Sequence, residues 1–175
     1  MGSAPVIAGV SLVALGPADA ERLADFCRRA TDFFELVEGK PGGPETAADI
    51  LGPLPPHVTS GTHYTFGVER GGELIGLLDA LEGYPAPEAW YVGLLVLVPG
   101  ERRAGLGSRI WLATHDWIRA RGGTLVRILV QQQNTPGRAF WDRQGFSVET
   151  ELAVKVGLRE SPCWRMQIRV ARDRE

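Results

Sequence analysis

Residues 98–112 read VPGERRAGLGSRIWL and lie between two stretches of different character. Before them, Gly93 to Val98 is a run of Val and Leu that halts at Pro99. After them, Ile110, Ala113, Thr114, Trp117 and Ile118 recur at the spacing of one helix face. A buried strand therefore passes through a turn of arginines and glycines into a helix. The first backbone N–H groups of such a helix have no intrahelical acceptor and lie at the positive end of its dipole. Gly105 and Gly107 remove the Cβ atoms that would hold an anion off that backbone. Arg102 and Arg103 add positive charge, Ser108 adds a hydroxyl, and Ala104 and Leu106 complete the turn. The combination predicts a cradle for phosphate oxygens.

Spacing excludes two common phosphate-binding schemes. No GxxxxGK[ST] string occurs, so this is not a Walker loop. A dinucleotide fingerprint needs a third glycine where Ile110 stands and an acidic residue ending a following strand, and both are missing.

The flanking elements suggest the scaffold. AWYVGLLVLV (89–98) is apolar at nearly every position and reads as a central strand buried on both faces. HYTFGVER (63–70) and ELIGLLDALEG (73–83) are strand-like runs joined by Gly71-Gly72, a hairpin signal. TLVRILVQQ (124–132) is a further strand, PGRAFWDRQ (136–144) a short helix stopped by Gly145, and VETELAVKV (148–156) with CWRMQIRVA (163–171) a closing hairpin. Near the start, VIAGVSLVAL (6–15) reads as a first strand, too short to cross a bilayer and without the preceding Lys or Arg of a signal peptide. A helix follows, with Asp19 as its cap and Ala20, Leu23, Ala24 and Cys27 on one face. Residues 38–61 are rich in Gly and Pro and read as a loop with one short helix around Glu45 to Leu51. The pattern predicts an α/β fold: one mixed sheet of about seven strands flanked by about four helices. A single domain over residues 1–175 is expected, because 175 residues at 44% hydrophobic content suffice for one core.

Composition narrows the partners. A formal charge of −2 provides no overall attraction to nucleic acid or to an anionic membrane. The five tryptophans stand in no basic patch, so they read as core and groove wall rather than a base-stacking platform. Two cysteines, Cys27 and Cys163, lie far apart without metal-ligand spacing. They read as reduced thiols of a cytoplasmic protein with no metal.

Arg102-x-x-Gly105-x-Gly107 after a strand ending Leu95-Val96-Leu97-Val98-Pro99 resembles the acetyl-coenzyme A signature of the GNAT superfamily of N-acetyltransferases. A second block, NTPGRAFWDRQGF (134–146), resembles that family's segment of Asn, short helix and closing Gly-Phe. The element order matches as well, and the likeness covers nearly the whole chain. The resemblance implies a fourth strand that splays from the fifth, with the pantetheine arm pairing to backbone groups of Leu95 and Leu97. It places the pyrophosphate on backbone N–H groups from Arg102 to Ser108, a cofactor hydrogen bond on Asn134, and adenosine phosphates near Arg138 and Arg143. It also implies direct attack of an amine on the acetyl thioester, whose carbonyl the N–H groups of Leu97 and Val98 can polarise.

Two positions depart from the family pattern. Where many members carry a Tyr acid in the short helix, this chain has Trp141, which has no hydroxyl. Where many carry a Glu base in the fourth strand, it has Tyr91, and an ordinary phenol near pKa 10 is a poor base at neutral pH. Tyr91 is expected to line the acceptor site, since it shares strand parity with Leu95 and Leu97. Further polar candidates are His63, Asp79, Glu82, Tyr84 and Glu88. Three readings follow: transfer of acetyl to a small-molecule amine, transfer to a protein lysine or N-terminus, and a silent acyl-coenzyme A sensor. The first leads, and a homodimer stays open.

Overall fold

The computed structural model describes residues 4–171, so residues 1–3 and 172–175 of the expected 1–175 span lie outside the described residues. The chain runs β1 (Ser11–Ala14), α1 (Ala20–Arg29), α2 (Thr31–Glu38), α3 (Pro44–Leu51), β2 (Thr62–Arg70), β3 (Glu73–Glu82) and β4 (Ala89–Leu97). It continues with α4 (Leu106–Ala120), β5 (Leu125–Gln131), α5 (Thr135–Arg143), β6 (Ser147–Val156) and β7 (Arg159–Arg169). The seven strands form one mixed sheet in the order β1-β2-β3-β4-β5-β7-β6. All neighbours are antiparallel except β4 and β5, which are parallel.

The hairpin between β2 and β3 turns on Gly71 and Gly72, whose φ of 59° and 83° suit a tight primed turn that side chains disfavour. In α4, Leu106, Ile110, Trp111, Thr114 and Ile118 are buried, one stripe against the sheet. Burial of each large apolar side chain of this kind contributes about 1.5–3 kcal/mol. Trp117 packs edge-on to Trp90 and Tyr64, with ring centroids 4.9 and 5.0 Å apart, so these aromatics belong to the core. On the other face α1 buries Leu23, Ala24, Phe26 and Cys27. Both cysteines are free and buried, and burial pushes the Cys27 thiol up to about 12, which leaves it unreactive.

Two local expectations change. Among the described residues there are five α-helices, because Thr31–Glu38 forms α2 directly after α1, in a stretch assigned no element of its own from sequence. Asp19 occupies the N-cap of α1 without capping it. Its carboxylate accepts instead from the Gly16 N–H at 3.0 Å and from Arg22 at 3.1 Å.

One irregularity governs the site. The β3–β4 register runs Leu81↔Tyr91 and Ala80↔Val92, then jumps to Asp79↔Leu94 and Leu78↔Leu95. Gly93 is therefore an extra residue, a β-bulge that reverses which face each later side chain meets. Tyr91 lies on the face of Leu94 and Val96, opposite that of Leu95 and Leu97. The parity expected from counting along the strand does not survive the bulge.

Candidate active site

Strands β4 and β5 pair only at Ala89↔Leu125, Trp90↔Val126 and Tyr91↔Arg127. Beyond Tyr91 they part, and a cleft of 770 Å³ opens between β4, β5, α2, α5 and the turn before α4. Backbone polarity along β4 follows from one bond. The Val98 N–H donates to the Ile75 carbonyl at 3.0 Å, so it faces β3 and is not free for a thioester oxygen. Alternation then turns the backbone groups of Leu97 and Leu95 the other way, into the cleft. Of the expected pair of donors, Leu97 has the suitable direction and Val98 does not.

The turn before α4 is built from left-handed backbone. Arg103 has φ 65° and Gly105, at the N-cap of α4, has φ 80°. No side chain caps this helix, so the N–H groups of its first turn stay open. Such alternation turns successive N–H groups into one concavity, an anion nest. A Cβ on Gly107 would stand 3.3 Å from the Phe140 ring, so glycine keeps the floor low beneath α5. Arg103, Gly105, Gly107 and Ser108 all line the cleft, whereas Leu106 is buried beneath it. Ala104 and Val98 are not among the lining residues.

Arg102 lines the cleft but its charge is committed. It donates through Nε to the Leu97 carbonyl at 2.8 Å and through its terminal nitrogens to both carboxylate oxygens of Asp32. That contact holds the Asp32 carboxyl below the usual carboxylate range, chiefly through the hydrogen bond from Arg102. Asp32, Phe33 and Leu36 thus supply a cleft wall that the sequence reading lacked, because it had no α2. Phe33 and Phe34 followed by Gly39 were the available signal.

At the α5 end, the Asn134 side chain accepts from the Gly137 N–H at 3.0 Å, which caps the helix and leaves its amide nitrogen for the cleft. The Ser108 hydroxyl accepts from Gln144 at 3.0 Å and keeps its own proton to donate. The two arginines separate. Arg138 pairs with Asp142 at 2.9 Å and stacks on Trp164 at 4.5 Å, away from the lining, while Arg143 lines the cleft.

Trp141 is 9% exposed and packs against Trp111, Phe140 and Phe146 at centroid distances of 5.5, 4.8 and 5.0 Å. It lines the cleft as an apolar wall. Tyr91 lies near Arg127, Arg165 and Tyr84, and burial pushes its phenol up to about 12, so it stays protonated at neutral pH. It lines neither this cleft nor the smaller cavity beside it. Glu82 is engaged on the α4 side by Tyr64 and Arg121, each at 2.8 Å. Glu88 is exposed, and Tyr84 rests between His57 and Tyr91.

His63 and Asp79 are brought together. His63 Nε2 and Asp79 Oδ2 are 2.6 Å apart, and the Thr65 hydroxyl donates to the same oxygen at 2.9 Å. The pair lines the smaller cavity, of 150 Å³, with Ile50, Pro53, Pro55 and Leu94. Leu94 borders both cavities. A Cβ built on Gly93 would come 2.9 Å from Asp79 Oδ1, so the bulge glycine is what admits the carboxylate there. Asp79 raises the pKa of His63, outweighing its partial burial.

Among the described residues no group of three or more His, Cys, Asp and Glu could hold a metal ion, and no helix is long and apolar enough to cross a membrane. No curated protein matches the sequence. The fold is shared with an acetyltransferase from Thermus thermophilus at TM-score 0.74 and 23% identity, covering 93% of this chain and 98% of that one. It is also shared with a PaiA N-acetyltransferase from Thermoplasma acidophilum solved with coenzyme A, at TM-score 0.66 and 16% identity over 91% and 98% of the chains. A spermidine N-acetyltransferase from Vibrio cholerae, solved with CoA and spermine, matches at TM-score 0.70 and 16% identity over 93% and 96%. The sequence model of the acetyltransferase (GNAT) family matches residues 26–146. With that match over more than half its length, a parted β4–β5 pair and an anion nest at the start of α4, the chain belongs to the GNAT acetyltransferase family.

Proposed function

We propose that this protein transfers the acetyl group of acetyl-coenzyme A to a primary amine of a small molecule, by direct attack on the thioester. The observation that carries the reading is the cleft between the parted strands, with the backbone of Leu95 and Leu97 turned into it at one end and the nest at the other. The pantetheine amides pair with β4, the pyrophosphate rests on the open N–H groups before α4, and Arg143 and the Asn134 amide meet the remaining polar groups. The Leu97 N–H polarises the thioester carbonyl as negative charge develops on its oxygen. Holding amine and thioester in line can supply about 7–11 kcal/mol of the barrier.

A cavity of 150 Å³ beside the bulge supports a small acceptor. The reading takes residues 1–175 as one domain acting in the cytoplasm, without metal, nucleic acid or membrane. Neither cavity needs a second chain, so a homodimer is compatible with it.

Thiol release from acetyl-coenzyme A, measured against a panel of alkyl amines and of lysine and N-terminal peptides, tests the reading. Turnover with amines and not with peptides is expected. Turnover with peptides alone would move the acceptor to a protein. Tight acetyl-coenzyme A binding without thiol release from any acceptor would leave a sensor.

A further inference from the structure

Two features of β2 and β3 have no part in binding a donor. One is the Asp79 carboxylate lying over Gly93, and the other is the His63 ring held against that carboxylate. We propose that the Asp79–His63 pair binds the ammonium group of a short alkyl amine in the cavity beside the β4 bulge and takes its proton before attack.

The geometry argues for this in three steps. First, Asp79 is oriented: its Oδ2 accepts from Thr65 and meets His63, which leaves Oδ1 directed at the backbone of Gly93 without a hydrogen bond from the described residues. Second, that direction leads to the donor. Gly93 and Leu94 line the large cleft, and Leu94 also lines the small one, so the carboxylate stands where the two cavities meet. Third, the small cavity has the chemistry of an alkyl ammonium ion. Ile50, Pro53, Leu54 and Pro55 form an apolar wall, and the carboxylates lining the cavity are Asp79 and Asp49, with His63 against Asp79.

The groups in contact with His63 are Asp79 and Thr65 from the sheet, and Asp49 from α3, whose carboxylate lies 3.7 Å from Lys40, lines the same cavity. β4 contributes the apolar Leu94. His63 keeps a proton more firmly than an isolated imidazole does, which makes the pair a stronger base.

The acceptor enters as R–NH3+, and one proton passes to the pair. The nitrogen lone pair forms a C–N bond to the thioester carbon, and the C–S bond breaks. A second nitrogen proton leaves with the thiolate as coenzyme A thiol, the third stays on the amide, and the pair returns its proton to solvent.

This rests on the acetyl-transfer reading, so its test has one arm that needs no turnover. Protein saturated with coenzyme A is titrated with 1-propylamine while the ring signals of its 3 histidines are followed by NMR. His63 should shift in a saturable way, and Asp79→Asn should abolish the shift. An unmoved His63 overturns the proposal even if the protein is active on other acceptors. In the second arm, thiol release from acetyl-coenzyme A with 1-propylamine is measured across pH for the wild type, Asp79→Asn and His63→Gln. The wild-type kcat/KM should rise through a midpoint that stays fixed when a less basic amine is used. Both variants should lose about a hundredfold or more in kcat/KM, with unchanged acetyl-coenzyme A affinity. A wild-type midpoint that follows the amine's own pKa, or variants with wild-type kcat/KM, would show that the pair takes no proton. Absence of turnover with a saturable His63 shift would instead sink the acetyl-transfer reading and leave the amine site standing.

Discussion

The guanidinium of Arg102 meets both oxygens of Asp32, across 70 residues of sequence, while its Nε holds the carbonyl of Leu97. A residue expected to attract phosphate thus ties the end of β4 to α2. Arg102→Lys cannot reproduce the planar fork. It should weaken coenzyme A binding more than loss of one distant charge would, with little change in the salt dependence of affinity. Calorimetric titration at two ionic strengths measures both.

The same pair sets an acid-side dependence of stability. A carboxylate whose folded pKa is depressed contributes stability that is present above its unfolded value, about 3.9, and lost as pH falls through the folded value. Melting temperatures of wild type and Asp32→Asn should therefore differ near neutrality and converge in acid. Parallel curves down to the acid limit would show that the pair contributes nothing.

His63 has the opposite sign. Its raised pKa contributes stability that is fully present below about 6.5 and lost as pH rises through the higher folded value. An NMR titration should place the His63 midpoint above that of an exposed imidazole, and Asp79→Asn should lower it. A midpoint indifferent to Asp79 would contradict the 2.6 Å contact.

The two nest glycines should behave differently. Gly105 has φ 80°, so Gly105→Ala forces a side chain into left-handed backbone. That costs about 1–2 kcal/mol, or about 2–8 °C in Tm for a chain this size. Gly107 is helical and its added Cβ meets only side-chain atoms, the Phe140 ring at 3.3 Å and Leu97 Cδ1 at 3.9 Å, so Gly107→Val should keep the fold and lose acetyl-coenzyme A affinity. A folded Gly107→Val with wild-type affinity would mean the phosphates lie elsewhere.

At the outer end of the cleft, dephospho-coenzyme A should bind less tightly than coenzyme A. Arg143→Ala should erase that difference and Arg138→Ala should not, because Arg138 is already held by Asp142 and Trp164. The opposite pattern in competition binding would reverse the assignment.

Much of this was legible from residue order. The apolar run ending at Pro99, the glycine hairpin and the amphipathic stripe from Ile110 to Ile118 each obey one local rule, and each formed the expected element. What escaped depends on non-local partners. α2 follows α1 after Ala30 alone, with no Pro or Gly between them to mark a break. Arg102 looked like a free cation because Asp32 is distant in sequence. His63 and Asp79 were each visible as polar residues, but only the antiparallel pairing of Thr65 with Asp79 puts them side by side. Gly93 did carry a signal, since a glycine inside a strand often marks a bulge. Counting parity straight through it turned Tyr91 to the wrong face.

That single surplus residue in β4 also divides labour. Ahead of Gly93 the strand addresses one side of the sheet in one phase, and after it the phase is inverted, so the two halves are tuned by different side chains. Exchanges around His63 on β2 can reshape the small cavity without rephasing Leu94 to Leu97, which line the large cleft. Removing Gly93 would couple the two again, and a change made in one cavity would then disturb the other.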